Sequence, residues 1–314
     1  MSYTFLSSIK EPAMYQYQYS NQKDIENLTC KFSISISELA MLHEAERQET
    51  DKKAVVAQMM AAINVMKANI EAGTVSTVPS IGGLIGQNAD KMNRYMAAGQ
   101  TLCGCMLGSA ITYALAVTEE NARMKRITAC PTAGACGVVP GCLFAVCEQR
   151  QLSEDVLLSG LFNSSAIGII IAENATISGA QGGCQAEIGA ASAMAASALT
   201  EISGGSVDAC LNAAAIALQN ILGLVCDPVA GLVEVPCSKR NAMGVANAFA
   251  SADMALAGIT GIIPLDEVIK AMKEVGRALP YELKETAKGG VAASATAKDI
   301  KNKLKQFAAD INDR

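Results

Sequence analysis

Three of the eleven cysteines stand where the chain breaks between apolar segments. Cys184 closes the stretch NATISGAQGGC (residues 174–184), while Cys226 and Cys237 bracket CDPVAGLVEVPC (226–237). Thiolates arriving from separate loops suit an iron-sulfur cluster in which one iron has no protein ligand and is open to a substrate. Zinc also takes thiolates, but its sites usually show paired C-x2-4-C knuckles, which these three lack, and Cys103-Gly-Cys105 is too tight for one. Free cysteine is besides among the most buried residue types and packs as a small hydrophobe. On spacing alone, cluster, zinc and inert packing stand side by side.

Other groups near these breaks carry chemistry of their own. Arg240 and Asn241 follow Cys237 directly and either anchor a carboxylate or cap the next helix; the guanidinium fork favours carboxylate recognition. Glu187, one turn after Cys184, is a candidate acid-base group or a partner for Arg240. His43, the only histidine, sits in the charged run MLHEAERQE and reads as a structural residue on a solvated helix face.

These loops need rigid elements to hold them, and the composition says which kind. Apolar residues make up 51% of 314 but aromatics only 4%, so Ala, Leu, Ile, Val and Met must fill the core, which favours closely packed helices. Ser35-Ile36-Ser37-Glu38 is a capping box that starts a helical region. Val56, Met59, Met60, Ile63, Met66 and Ile70 then follow helical spacing up to Gly73. Residues 73–88 read as a loop, and 89–123 as helical. Further helices are expected at 138–150, 154–172, 185–202, 207–222, 240–257, 266–278 and 296–311. The alternation in KFSISIS is too short to define a strand. The fold class expected is all-α: one domain spanning 35–314, preceded by a variable extension, 1–34.

Charge and patterning exclude several functions. With 25 basic and 30 acidic residues, a pI near 5.1 and no basic stripe, nucleic acid is not an expected partner. The apolar stretches 156–172 and 241–264 are interrupted by polar residues such as Asn163 and Asp253, so they read as core helices, with no membrane partner. The polar start, MSYTFLSSIKEP, lacks the pattern of a signal peptide, and the expected location is cytoplasmic, where thiols stay reduced. No G-x-x-x-x-G-K-[ST] or strand-borne G-x-G-x-x-G is present, so nucleotide binding is not expected. No lysine adjoins a phosphate-cradling glycine loop, so pyridoxal phosphate is not expected either.

The runs SGAQGGCQAEIGAASAMAASAL (178–199), GLVCDPVAGLVEVPCSKRNAMGVANA (223–248) and CPTAGACGVVPG (130–141) resemble the α chain of the iron-sulfur-dependent bacterial L-serine dehydratases. The resemblance is strong over 114–290, and it includes the 42-residue and 11-residue spacings between Cys184, Cys226 and Cys237. It implies an oxygen-sensitive 4Fe-4S cluster on those three cysteines. The activity implied is conversion of L-serine to pyruvate and ammonia, a step in amino-acid degradation that feeds gluconeogenesis. It also implies that Thr132, Ala133, Gly134, Ser178 and Gly179 lie in substrate-binding loops, where they hold the substrate carboxylate or cap helices. The remaining cysteines have no cluster position and are expected in the core, with Cys130 and Cys136 near the site.

Single-chain members of that family carry a second domain with a His-Thr motif, and some end in a cysteine that closes on the cluster. The tail here, AADINDR, has no thiol, so the open iron is not expected to be capped by it. A separate β subunit and assembly as a hetero- or homo-oligomer are therefore expected. Two alternatives stay open: a related iron-sulfur lyase acting on L-cysteine or L-threonine, and a non-catalytic, zinc-stabilised subunit.

Overall fold

Small side chains decide how these helices meet. The computed structural model describes residues 15–312, so the first 14 residues of the expected extension, and residues 313–314, lie outside it. In chain order the helices are α1 (Gln22–Phe32), α2 (Ile36–Arg47), α3 (Lys52–Gly73), α4 (Asn88–Ala97), α5 (Gly104–Ala122), α6 (Val138–Gln149), α7 (Glu154–Asn174), α8 (Gly179–Gly182), α9 (Ala190–Ile202), α10 (Val207–Gln219), α11 (Cys237–Leu256), α12 (Leu265–Ala278) and α13 (Ala295–Asn312). The described residues contain no strand, only an isolated parallel bridge between Cys226 and Lys284. The expected all-α architecture is what the chain adopts.

Helix α9 runs through the middle. Every residue from Ala190 to Thr200 is buried, because α6, α7, α10 and α11 pack around it. Mostly alanine and serine, it lets its neighbours approach closely on every side. Its polar groups bind the bundle internally. Ser192 Oγ donates to Gly244 O at 2.9 Å, and Asn247 Nδ2 donates to both Ser192 Oγ and Ala217 O at 2.8 Å, joining α9, α10 and α11. Between α5 and α6 the backbones nearly touch: a Cβ on Gly137 would lie 2.4 Å from Ala114 O. Helix α7 is long and apolar enough to cross a membrane, but it packs against α2 and α9 with Leu161, Phe162, Ile167, Ile170 and Ile171 buried.

Six expected helices appear within three residues of their expected ends, and the departures have local causes. The helical region 89–123 is two helices, because Gly99 and Gly104 adopt φ of +70° and +66° in the break between α4 and α5. The expected helix 240–257 starts earlier, at Cys237 itself. The KFSISIS stretch ends α1, turns at Ser33 in the left-handed region and caps α2. Only half of the capping box forms: Ser35 Oγ accepts the Glu38 N–H at 3.1 Å, while the Glu38 carboxylate lies 3.5 Å from Lys52.

The segment before Ser35 carries a packed helix. Asn21 caps α1 by accepting the Asp24 N–H at 2.9 Å, and Ile25 is fully buried. The same segment covers His43, which is buried rather than solvated: Nδ1 lies 3.1 Å from Tyr17 O, and the ring is 4.5 Å from that of Tyr19. Of the eight cysteines expected in the core, Cys130, Cys136, Cys142, Cys147 and Cys210 are there, but Cys30, Cys103 and Cys105 are exposed. Those three lie on the exposed side of α1 and at the exposed start of α5.

Candidate metal centre

Cys184 precedes a widened turn. Residues Gln185–Gly189 form a π-helical turn before α9 begins, a feature that recurs at functional sites. The turn places Cys184 Sγ 3.9 Å from Glu187 Oε2. Fully buried Gln185 holds it from below: Nε2 donates to Gly182 O at 2.9 Å and Met272 O at 3.0 Å, and Oε1 accepts Gly223 N at 2.8 Å.

Cys226 is clasped by a segment far along the chain. Its N–H donates to Leu283 O and its carbonyl accepts the Glu285 N–H, both at 2.8 Å. Next to it, Asp227 Oδ2 accepts the Val291 N–H at 2.7 Å. Cys237 is the first residue of α11. All three thiols are buried.

The donor atoms converge. Cys184 Sγ, Cys226 Sγ and a Glu187 carboxylate oxygen all lie within 4.8 Å of one another. Cys237 stands outside that trio but within its field: burial first, then the charges of Cys184 and Glu187, push its thiol up to about 12, against the pull of Arg240. The Cys226 thiol is raised further, by its hydrogen bond with Cys184, by burial and by the charges of Cys184, Glu187 and Glu285. Burial also raises Glu187, partly offset by the hydroxyl of Thr132.

One cation faces this group. Arg240 Nη1 donates to Val225 O at 2.9 Å and reaches Cys184 Sγ at 3.6 Å. Its Nη2 lies 2.8 Å from Asp227 Oδ1, a charge contact without an aligned N–H that leaves this buried oxygen otherwise unpartnered. Asp227 thus takes the place sequence reasoning gave to Glu187 as the partner of Arg240. Three thiols and two carboxylates sharing one guanidinium are short of positive charge once the thiols ionise, and bound metal corrects that deficit. Two sulfurs and an oxygen within 4.8 Å also match the reach of metal–ligand bonds of about 2.0–2.3 Å. The residues present fit a thiolate-bound metal group.

The other expected site residues surround this centre. Thr132 Oγ1 donates to Glu187 Oε1 at 2.7 Å, joining the 130–137 loop to the π turn. Gly134 and Gly179 leave room for that carboxylate: a Cβ on Gly134 would meet Oε1 at 2.8 Å, and one on Gly179 would meet Oε2 at 2.6 Å and Cys226 Sγ at 3.2 Å. Among the described residues the N–H groups of Ala133, Gly134 and Gly179 donate to nothing. The Ser178 N–H donates to Thr176 Oγ1 at 3.1 Å, and its side chain makes no capping bond. Asn241, fully buried, is engaged with backbone: Nδ2 donates to Gly134 O at 2.8 Å and Cys237 O at 3.0 Å, and Oδ1 accepts Gly137 N at 2.9 Å. Cys130 and Cys136 are buried beside the same loop, and Cys136 feels the charges of Cys237 and Glu187.

Sequence reasoning passed over Asp227, Gln185 and Glu285. Asp227 adjoins Cys226 in CDPVAGLVEVPC, and an acid directly beside a candidate ligand is a readable signal. Nothing local marks Gln185 or Glu285, whose roles come from long-range contacts.

The family model described as serine dehydratase alpha chain matches residues 31–292. The chain is 47% identical over 286 residues to the probable L-serine dehydratase, alpha chain, of Bacillus subtilis, covering 91% of this chain and 95% of that one. It is 41% identical over 283 residues to the L-serine dehydratase, alpha chain, of Peptoniphilus asaccharolyticus, covering 89% and 96%. It is 36% identical over 289 residues to the L-serine dehydratase of Streptomyces coelicolor, covering 91% of this chain but 63% of that longer protein.

Proposed function

This chain belongs to the serine dehydratase alpha-chain family, and we propose that it eliminates water from L-serine, the released enamine rearranging to an imine that hydrolyses to pyruvate and ammonium. The observation that carries this reading is the convergence of Cys184, Cys226 and Glu187, with Cys237 beside them, in a cluster short of positive charge. A single ion seated in the compact trio would leave Cys237 unused, which favours a multinuclear group reaching all three thiols. In this reading Cys184, Cys226 and Cys237 hold a 4Fe-4S cluster. When bound, such a cluster supplies a Lewis acid for the β-hydroxyl oxygen, where charge develops as the poor leaving group departs.

The protein's own groups divide the remaining work. Arg240 sets a fixed positive charge beside Cys184 and, with Asp227, fixes the edge of the pocket. The unengaged N–H groups of Ala133, Gly134 and Gly179 suit the substrate carboxylate. Asn241 acts at one remove, holding the 130–137 loop against α11.

The α-proton needs a base, and the only histidine is buried against Tyr17 and Tyr19. We therefore assign the base to a separate β chain that docks over the 130–137 and 178–184 loops. A chain with eleven free thiols also fits a reducing compartment, the cytoplasm.

Metal and sulfide analysis of anaerobically purified protein tests the reading. About four irons and four sulfides per chain, lost together with pyruvate formation in Cys184→Ser, Cys226→Ser and Cys237→Ser but kept in Cys210→Ser, are expected. Stoichiometric zinc, or a full cluster in Cys226→Ser, overturns it.

A further inference from the structure

We infer that Glu187 is itself a metal ligand, its Oε2 filling the coordination position that the three cysteines leave when no substrate is bound. This rests on the metal reading of the site proposed above. The argument begins with the two oxygens, which have different surroundings. Oε1 is fixed by the Thr132 hydroxyl at 2.7 Å. Oε2 has no hydroxyl, amide or cation on it among the described residues; it faces Cys184 Sγ at 3.9 Å. Its one contact is the Cys184 thiol, which donates to it, so once that sulfur gives up its proton to bind metal, Oε2 presents a lone pair with no other donor on it.

Its neighbours keep that lone pair accessible. Gly179 lies against both Oε2 and Cys226 Sγ, and Gly134 lies against Oε1; side chains at either position would run into the carboxylate. Glu187 follows Cys184 by three residues and lies within a π turn, a feature that recurs at functional sites. Charge points the same way. A half-buried carboxylate set beside two buried thiols, with no ion pair among the described residues, is better accommodated when a cation sits against it. Arg240 does not serve, being committed to Asp227 and Val225. A carboxylate oxygen is also a weaker ligand to iron than a thiolate, so an arriving substrate oxygen displaces it more readily than a fourth cysteine.

The test uses the full-length chain reconstituted anaerobically with ferrous iron and sulfide. Protein grown with glutamate labelled with carbon-13 at the side-chain carboxyl should, once its cluster is reduced, show a carbon hyperfine coupling by electron-nuclear double resonance that unlabelled protein lacks. L-serine should abolish the coupling. Glu187→Gln should lack it and should lose one iron to a chelator at least about tenfold faster than wild type, whereas Glu187→Cys should lose it more slowly than wild type. A reduced wild-type cluster with no carbon coupling overturns the assignment whatever the variants do, and equal iron-loss rates in wild type and Glu187→Gln overturn it independently. Wild-type protein that takes up no iron at all fails the underlying metal reading and the ligand assignment with it; iron uptake without carbon coupling fails the assignment alone.

Discussion

Ser80 donates its hydroxyl to the Glu234 carboxylate at 2.6 Å, across 154 residues of chain. The same carboxylate accepts the N–H groups of Gly82 at 2.8 Å and Leu84 at 3.0 Å, and it is buried. Glu234 lies three residues before Cys237, so one side chain fastens the 80–85 turn to the cysteine loop. Glu234→Ala leaves a hydroxyl and two N–H groups without their acceptor and should cost about 2–4 kcal/mol. Urea denaturation measures the loss, and limited proteolysis should show new cleavage within residues 73–88. Glu234→Gln, which keeps an acceptor, should cost less.

Helix contact distances give a second expectation. Gly137→Ala forces a methyl into the Ala114 carbonyl, a backbone atom that cannot swing away, and should destabilise by about 2–3 kcal/mol. At Gly168 in α7 the nearest atom to a new Cβ is the Met194 methyl at 3.1 Å, the free end of a flexible side chain. Gly168→Ala should therefore stay within about 1 kcal/mol of wild type, since helix propensity favours alanine. Equal thermal shifts for the two variants would contradict this packing account.

The buried thiols set a pH dependence. Burial pushes Cys130 and Cys136 up to about 12, above an unfolded-state thiol near 8.5. A raised pKa means the unfolded chain loses its proton first, so the contribution is complete below about pH 8.5 and falls as pH rises towards 12. Each such thiol steepens the decline by up to about 1.4 kcal/mol per pH unit in that window. Urea midpoints of metal-free protein from pH 7 to 11 should fall less steeply for Cys136→Ala than for wild type, even though the variant starts lower at pH 7.

The helices were legible because Ala-rich apolar segments repeat at helical spacing and end at glycine or proline; α6, α7, α10, α12 and α13 follow from that alone. The cysteine loops were legible too, as breaks rich in glycine and proline. What the sequence hid depends on contacts made at a distance. Helix α1 owes its packing to Ile25, and the burial of His43 to Tyr17 and Tyr19, none of which local patterning pairs with its target. The π turn adds a residue to a run that reads as ordinary helix. The partner of Arg240 depended on which acid the folded loops bring closest, and Asp227 lies nearer than the helical register of Glu187 suggests.

The clasp on Cys226 has a consequence for the order of events during synthesis. Its two backbone partners belong to Leu283 and Glu285, and the partner of Asp227 is Val291. At ribosomal elongation rates the fifty-nine residues from Cys226 to Glu285 take roughly 3 to 12 s to be made. For that interval Cys184 and Cys226 exist as thiols on a nascent chain whose pocket has no outer wall. Until residues 283–291 emerge, the wall they form over Cys226 is missing, so these thiols are reachable before they are enclosed.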